Sequence, residues 1–165
     1  MNQKPDFDVL IDDKALNAVQ WREDNCLKKK IGFVASCFDL LHAGHCMMLQ
    51  DAKTKCGYLV AALQTDPTLD RPKSKNKPIQ ALDERFLVLE SNKYVDEIVI
   101  YKTEEELLNL IKDIKPDVRI LGDEYENKDY MGKGLEKEVH FHKRSTHNWS
   151  TTNLRKRIFE AELET

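Results

Sequence analysis

The sequence predicts an α/β fold in which a five-stranded parallel sheet is doubly wound, with helices on both faces. The first observation is an alternation of short apolar runs with amphipathic segments along most of the chain. The second is the range 31–36, which has the composition of a fully buried strand and is followed by Leu49, Ala52 and Cys56 at helical spacing. Strands separated by helices favour parallel pairing through right-handed crossovers.

The predicted elements follow one another in a regular order. Strands are expected at 31–36, 58–63, 97–101, 118–121 and 138–142, and helices at 43–56, around 82–89, between 103 and 116, and after 150–152. Gly57 ends the first helix and Pro116 ends the third. Thr103, followed by three glutamates, is a strong helix start. In the last helix, Leu154 and Ile158 begin an apolar stripe that continues to Ala161.

The composition indicates one globular domain. The chain has 165 residues, of which 41% are hydrophobic and 33% charged. We expect residues 1–29 to form an N-terminal helical extension and residues 30–165 to form the main domain. The net charge of −3 argues against a nucleic-acid-binding protein. Because no segment has the pattern of a membrane span or a signal peptide, and the four cysteines show no paired framework, we expect a cytoplasmic protein.

The most informative segment lies between the first strand and the first helix, and it reads Phe38-Asp39-Leu40-Leu41-His42-Ala43-Gly44-His45. The first N–H groups of a helix have no partner within it, so an anion bound there gains hydrogen bonds and dipole attraction. Gly44 allows a phosphate to approach the backbone, and His42 and His45 are able to donate to its oxygens. A triphosphate site is therefore predicted. Helix capping is one alternative, and a metal site with Cys46 is a weaker one, since no second tight Cys or His pair supplies further ligands.

Other polar segments follow the carboxyl ends of the remaining strands. In doubly wound sheets a ligand binds where the strand order reverses. If the first and fourth strands are neighbours, the histidine turn meets the loop Gly122–Tyr125 and the helix start Ser150–Thr152. A long proline-flanked loop carries Lys73, Lys75 and Lys77 and is placed to close over phosphates.

These three ordered motifs resemble the nucleotidylyltransferase superfamily, which has a Rossmann-like fold, and they are most similar to glycerol-3-phosphate cytidylyltransferases. The resemblance runs from about Ile31 to Ile158. It implies an enzyme in which a phosphomonoester such as glycerol 3-phosphate attacks the α-phosphorus of CTP and releases pyrophosphate. It also implies Mg²⁺ bound to the phosphates rather than to a metal site of the protein, and a homodimer contact near Tyr94–Val99.

The resemblance assigns roles to individual residues. Those implied in catalysis are His42, His45, Arg144, and Lys75 or Lys77, all as donors to the triphosphate. Those implied in nucleotide or phosphate binding are Phe38, Asp39, Gly44, Arg85, Gly122, Asp123, Tyr125, Ser150, Thr151 and Thr152. Arg85 matches a family arginine that faces the active site. For Asp123 the alternative is that it only shapes the turn after the fourth strand.

The chain departs from the family before the last helix. The family usually reads Arg-Thr-Glu-Gly, one residue, then Ser-Thr-Thr, whereas this chain reads Arg144-Ser145-Thr146-His147-Asn148-Trp149-Ser150-Thr151-Thr152. The arginine thus lies one residue farther from the serine. Trp149 packs either over a nucleotide or in the core, and the core is favoured. His140 and His142 share one strand face, which fits either a role in the site or simple exposure.

Two other functions stay open. The segment Leu41–His45 and the loop Lys77-Pro78-Ile79 also resemble heptose-phosphate adenylyltransferases, which implies ATP and a sugar phosphate as substrates. The loop Gly122–Tyr125 is nearer to the cytidylyltransferase form and favours CTP. The altered arginine spacing supports a third possibility, a nucleotide-binding module without catalysis.

Overall fold

Five short strands form one parallel sheet in the computed structural model, which describes residues 29–164. They are β1 (Ile31–Ser36), β2 (Tyr58–Gln64), β3 (Glu97–Tyr101), β4 (Val118–Gly122) and β5 (Glu138–His142). Their order is β3-β2-β1-β4-β5, and every neighbouring pair is parallel. The predicted doubly wound fold is confirmed. The helix expected within residues 1–28 lies outside the described residues.

Four α-helices connect or follow the strands. They are α1 (Ala43–Lys55), α2 (Leu82–Glu90), α3 (Glu104–Ile114) and α4 (Thr151–Leu163). Two short 3₁₀ turns, Asp123–Tyr125 and Arg144–Thr146, lie near the carboxyl edge of the sheet. The predicted strands and helices match these bounds closely. In residues 29–164 there is no helix with the length and apolarity needed to cross a bilayer.

Apolar side chains bury both faces of the sheet. On one face, Leu49 of α1 and Leu89 of α2 pack with Val34 and other strand residues. On the opposite face, Ile111 of α3 packs with Phe33. All but Val34 are fully buried, and Val34 is 2% exposed. Burial of one such side chain contributes about 1.5–3 kcal/mol, so the alternating apolar pattern accounts for helices on both sides of the sheet.

The helix α4 does not take part in this core. None of its residues is buried, and Ile158 and Phe159 are 47% and 65% exposed. The apolar stripe predicted along this helix is therefore not buried against the described part of the chain. Polar contacts hold the helix instead: the Ser150 side chain accepts the backbone N–H of Asn153 at 3.1 Å, and Arg155 reaches the turn after β1.

The central pair of strands positions the functional residues. Because β1 and β4 are neighbours, with Gly32 opposite Val118 and Val34 opposite Ile120, the strand order reverses between them. The connections after β1 and β4 leave from the same edge of the sheet. This confirms the expected meeting of the histidine turn with the loop after β4, at the point where such sheets bind ligands.

Candidate active site

A cavity of about 550 Å³ opens at this edge of the sheet. The predicted site residues that line it are His42, Gly44, His45, Lys75, Gly122, Tyr125, Arg144, Ser150, Thr151 and Thr152. The predicted site residues that do not line it are Phe38, Asp39, Lys77, Arg85 and Asp123. The three ordered motifs thus converge on one cavity, and the structure separates the two lysines of the loop that the sequence left undecided.

The turn from β1 into α1 is strained and firmly held. Phe38 and Leu40 both have φ of +49°, a conformation that side-chain-bearing residues rarely adopt. Between them, one carboxylate oxygen of Asp39 accepts the backbone N–H groups of Ile79 and Gln80, each at 3.0 Å. The Gln80 side chain accepts the N–H of Leu40 at 2.7 Å. These contacts fix the backbone that presents the two histidines.

His42 and His45 form a stacked imidazole pair at the start of α1. Nδ1 of His42 accepts the N–H of Gly44 at 3.1 Å, and the N–H of His42 points at Nδ1 of His45 at 3.4 Å. The ring centroids are 4.1 Å apart with 27° between the planes. The capping role and the site role are therefore combined, because capping through both Nδ1 atoms leaves both Nε2 atoms for other partners.

Burial and neighbouring positive charges disfavour the charged form of both imidazoles. Desolvation by burial is the largest cause that lowers the pKa of His45, to about 3, and the positive charges of His42 and Arg144 add to it. The pKa of His42 is also lowered, by desolvation first and then by Arg144, His147 and Arg157. The site thus gathers several groups that repel each other when charged, and an anion between them would relieve that repulsion.

The start of α4 closes against the start of α1. The hydroxyl of Thr151 lies 3.3 Å from Nε2 of His42 and also 3.3 Å from the carbonyl oxygen of Asp39. A Cβ on Gly44 would come within 2.8 Å of the carbonyl oxygen of Trp149. Gly44 is therefore required for the close approach of the two helix starts, in addition to any approach by phosphate.

Two of the basic side chains that line the cavity, Arg144 and Lys75, were predicted from the sequence. Arg144 pairs with Glu124 at 2.5 Å, which ties the segment before α4 to the loop after β4. Lys75 reaches the cavity from the long loop after β2, whereas the backbone carbonyl of Lys77 accepts a hydrogen bond from Arg155 at 2.8 Å. The extra residue between Arg144 and the serine has thus not removed this arginine from the cavity.

Arg85 lies beneath the site rather than in it. The residue is 3% exposed, and its guanidinium donates to the carbonyl oxygens of Cys37 at 2.9 Å, Gln64 at 2.7 Å and Thr65 at 2.6 Å. A further hydrogen bond reaches the carbonyl of Gln80 at 3.2 Å. The placement indicates that Arg85 supports the strained turn from below, instead of facing the cavity as the resemblance implied.

Asp39 has a comparable supporting position. Burial raises the pKa of its carboxyl, but the N–H groups of Gln80 and Ile79 and the guanidinium of Arg155 outweigh this and lower the pKa below its usual value. The contact with Arg155 measures 2.8 Å. No sequence motif pointed to Arg155, although its position four residues after Thr151 places both on one face of α4. The ionised carboxylate therefore links the turn to α4.

A second group of imidazoles lies beside the first, and the sequence did not predict its partner. Asp51 of α1 contacts Nε2 of His140 and Nδ1 of His142, both at 2.8 Å. Trp149 is 47% exposed, lines the cavity, and stacks on His147 with ring centroids 5.2 Å apart. The favoured interpretation of Trp149 as a core residue is therefore wrong. The indole of Trp149 lies at the cavity surface and does not belong to the apolar clusters between the helices and the sheet.

The cavity has the donors of an anion site rather than the ligands of a metal site. In residues 29–164 no group of three or more His, Cys, Asp or Glu side chains is arranged to hold a metal ion. The helix starts of α1 and α4, the imidazoles, Lys75 and Arg144 all favour negative charge. Fold and cavity together define a domain of the nucleotidylyltransferase type.

Comparison with known families agrees with this class. A family model described as cytidylyltransferase-like matches residues 33–157. The chain belongs to this family, within the nucleotidylyltransferase superfamily.

Individual relatives share much of the chain. It is 40% identical over 135 residues to the bifunctional protein HldE of Campylobacter concisus, and 40% identical over 136 residues to the HldE of Aliarcobacter butzleri. Each alignment covers 82% of this chain, which spans only 28% of the length of either relative.

Solved structures show the same fold. The lipopolysaccharide core biosynthesis protein of Thermoplasma volcanium is 28% identical, with a TM-score of 0.56 over 70% of this chain and 98% of its own. The pantoate-β-alanine ligase of Francisella tularensis is 19% identical, with a TM-score of 0.54 over 86% of this chain and 71% of its own. The second likeness concerns the fold alone.

Proposed function

We propose that this domain transfers a nucleotidyl group from a nucleoside triphosphate to a phosphomonoester and releases pyrophosphate. The observation that carries the proposal is the stacked pair of His42 and His45, which faces Thr151 where the starts of α1 and α4 converge. Two helix N-termini and two imidazole Nε2 atoms form one concentrated anion site. The family to which the chain belongs supports the same reaction class.

The chemistry needs little from the protein beyond position and charge. An oxygen of the acceptor phosphate attacks the α-phosphorus, the bond from that phosphorus to the bridging oxygen breaks, and pyrophosphate leaves with the electron pair. His42 and His45 donate to oxygens on which charge develops, and the strained turn holds them there before the substrate arrives. Lys75 and Arg144 add positive charge from the loop after β2 and from the segment before α4.

Mg²⁺ would accompany the triphosphate as part of the substrate complex. Magnesium is usually bound through phosphate oxygens, water and one or two carboxylates. All three carboxylates that line the cavity have basic partners: Glu124 pairs with Arg144, Glu104 with Arg71 at 2.8 Å, and Asp129 with Lys133 at 2.9 Å. This donor set fits an ion held chiefly by the nucleotide. Removal of the ion with a chelator is expected to abolish turnover and leave the fold intact.

For the substrates, we propose ATP and a sugar phosphate first. The segments Leu41–His45 and Lys77–Ile79 resemble heptose-phosphate adenylyltransferases. The 40% identity to HldE, and the likeness to a lipopolysaccharide core biosynthesis protein, support the same assignment. We propose CTP and glycerol 3-phosphate second, because the loop Gly122–Tyr125 has the cytidylyltransferase form and the family model carries that description.

One panel assay tests both assignments. Pyrophosphate release is measured with each of ATP and CTP against sugar phosphates, glycerol 3-phosphate and phosphorylated amino alcohols, with Mg²⁺ throughout. Turnover of ATP with a sugar phosphate at least tenfold above CTP with glycerol 3-phosphate supports the first assignment, and the reverse ratio supports the second. Nucleotide binding without release from any pair would favour the non-catalytic module.

The domain boundary and the association of two copies are also proposals. We infer that residues 30–165 act as the transferase domain, joined to a separate N-terminal extension, and that two copies associate near Tyr94–Val99. Light scattering of the purified chain measures the second point, with a mass of twice 19.2 kDa expected. A monomer at micromolar concentration would contradict the dimer.

A further inference from the structure

Two imidazole nitrogens beside the cavity lack any hydrogen-bond partner among the described residues. They are Nε2 of His142 and Nε2 of His147, and both are shielded from solvent. Both residues line the cavity, and the side chain of His142 is only 7% exposed. Buried polar atoms are nearly always paired, because leaving one unpaired is costly. Two unpaired atoms in neighbouring residues at one cavity indicate a missing ligand.

The other nitrogen of each ring decides what these atoms can bind. Nδ1 of His147 accepts the backbone N–H of Trp149 at 3.3 Å, so the proton of the neutral ring lies on Nε2. Nδ1 of His142 lies 2.8 Å from the Asp51 carboxylate, which only accepts, so this nitrogen carries a proton. His147 therefore presents an N–H donor, and an imidazolium form of His142 would donate through both nitrogens, one to Asp51 and one to an anion.

These rings adjoin the first imidazole pair. Cε1 of His147 lies 3.1 Å from the position that a Cβ on Gly44 would occupy. The centroids of His142 and His147 are 6.1 Å apart. The charge of a protonated His147 also contributes to the lowered pKa of His42, which places both rings within one electrostatic environment. A ligand of the first pair extending along the cavity would therefore meet the second.

An anion suits the second pair better than a metal does. The protonated Nε2 of neutral His147 has no lone pair to give to a metal, and in residues 29–164 no group of three metal-ligating side chains exists. Arg144, which lines the same cavity, adds positive charge. Phosphate oxygens accept hydrogen bonds from N–H groups, and these hydrogen bonds are strongest when the donor is charged.

We propose that His147 and His142 bind an oxygen of the phosphate chain of the nucleotide, and that Asp51 is the positioning residue that orients His142. This deepens the proposed nucleotidyl transfer and rests on it for the identity of the ligand. When the bond to the α-phosphorus breaks, the pair holds the pyrophosphate that leaves. If Asp51 and its histidines had only a structural role, His140 and His142 would be equivalent contacts that join β5 to Asp51 of α1.

The binding of inorganic pyrophosphate, measured by titration calorimetry, tests the role of His147. His147→Asn places an amide near Nδ1 and removes the group at Nε2, whereas His147→Gln places an amide N–H near Nε2. We expect a roughly 10-fold weaker affinity in the first variant and a change within about threefold in the second. Unchanged binding by His147→Asn, an equal loss in both variants, or no binding of pyrophosphate by the wild-type chain would overturn the proposal.

His142 and its neighbour provide a matched comparison. His142→Asn keeps a donor near Asp51 but removes Nε2, and it is expected to weaken pyrophosphate binding by roughly 10-fold. His140→Asn removes the other 2.8 Å contact to Asp51, does not alter a cavity residue, and is expected to leave the affinity unchanged. Similar losses in the two variants would show that Asp51 and its histidines only hold the fold.

A double-mutant cycle tests Asp51 as a positioning residue. Asp51→Asn should weaken pyrophosphate binding in the wild-type chain and have little further effect in the His142→Asn background, since both act through one nitrogen. Additive losses would contradict this. Because binding is measured without turnover, the two proposals separate. If the variants weaken pyrophosphate binding as expected but no nucleotide yields pyrophosphate, the binding site stands and the transferase proposal fails. If the chain turns over nucleotide but the variants bind pyrophosphate normally, the transferase proposal stands and the binding site fails.

Discussion

The four helices begin in two different ways, and the difference marks the site. The first turns of α2 and α3 contain their own carboxylates, Asp83 and Glu84 in one and three consecutive glutamates in the other. The first turns of α1 and α4 contain none. The partial positive charge of a helix start is stabilised by a nearby anion. Helices α2 and α3 contain this negative charge themselves, whereas at α1 and α4 it would come from the proposed anionic ligand.

The caps follow the same division. Helix α3 begins at Thr103, whose hydroxyl accepts the N–H of Glu106 at 3.2 Å, and this end of the helix needs nothing further. Helix α1 begins at His42, whose cap leaves Nε2 unused on the far side of the ring except for the hydroxyl of Thr151. A histidine caps less well than threonine or serine. Its use here indicates that the start of α1 serves binding more than helix stability.

The largest effect expected from this comparison is on catalysis. His45→Ala should lower the turnover rate by ~10² to 10³, the scale for losing one preorganised donor to a developing negative charge. Steady-state pyrophosphate release measures it. His45→Asn is the control, because its amide can still meet the N–H of His42 while the Nε2 position is lost. Near-normal turnover in His45→Asn would mean that His45 acts only as a cap.

A carboxylate added to the start of α1 should make it resemble α3. Ala43 is exposed in the first turn. Ala43→Glu is expected to raise the free energy of unfolding by about 0.3–1 kcal/mol and to raise the KM for the nucleotide roughly 10-fold through repulsion of phosphate. Ala43→Gln has a similar size without the charge and should change neither. Tighter nucleotide binding by Ala43→Glu would be incompatible with an anion site at this helix.

The lowered pKa of His45 should make the stability of the protein depend on pH. The pKa of His45 is about 3 in the folded chain and near the ordinary 6.5 when unfolded, so the unfolded state binds more protons between these values. The free energy of unfolding should therefore fall as the pH drops below about 6.5, by at most about 1.4 kcal/mol per pH unit for this group. Above that pH the contribution is complete.

Urea unfolding at several pH values between 4.5 and 7.5 tests this dependence. The carboxyls of Asp39 and Asp51 have lowered pKa values, so their contributions are lost only at still lower pH and do not mask the effect. The variant His45→Asn should show a shallower loss than the wild-type chain over the same range. Identical slopes would mean that His45 is charged in the folded protein.

The smallest effect belongs to α3. Glu105→Gln removes one exposed carboxylate from its first turn and should lower the free energy of unfolding by about 0.3–1 kcal/mol. Turnover and KM should not change, because Glu105 does not line the cavity. Thermal unfolding and the pyrophosphate assay measure the two quantities. A change in KM comparable with that of Ala43→Glu would remove the distinction between the two kinds of helix start.

The fold and the meeting of the three motifs could be predicted because they depend on local patterns. Buried parallel strands are continuous apolar runs, and α3 has both a capping threonine and a 3.6-residue apolar spacing between Leu107 and Ile114. The meeting of the histidine turn with the loop after β4 followed from the strand order. These features require only that adjacent elements pack in the usual way.

The contacts that could not be predicted from the sequence depend on how side chains from distant elements are oriented toward each other. Asp51 and His142 are 91 positions apart, and no local pattern brings a helix carboxylate to the end of β5. Arg85 matched a family arginine, yet the pattern does not specify whether a guanidinium faces a ligand or the carbonyls of a turn. Trp149 is apolar by composition, but its neighbours in the chain are polar and keep it at the cavity surface.

The exposed packing of α4 gives the proposed ligand a structural consequence. This helix and its N-cap Ser150 supply hydroxyls at the cavity, but the helix buries no residue of its own, and Arg155 pairs with Asp39 in the turn after β1. A triphosphate bound between the starts of α1 and α4 would add contacts between these helices, so the proposed ligand would also stabilise the packing of α4.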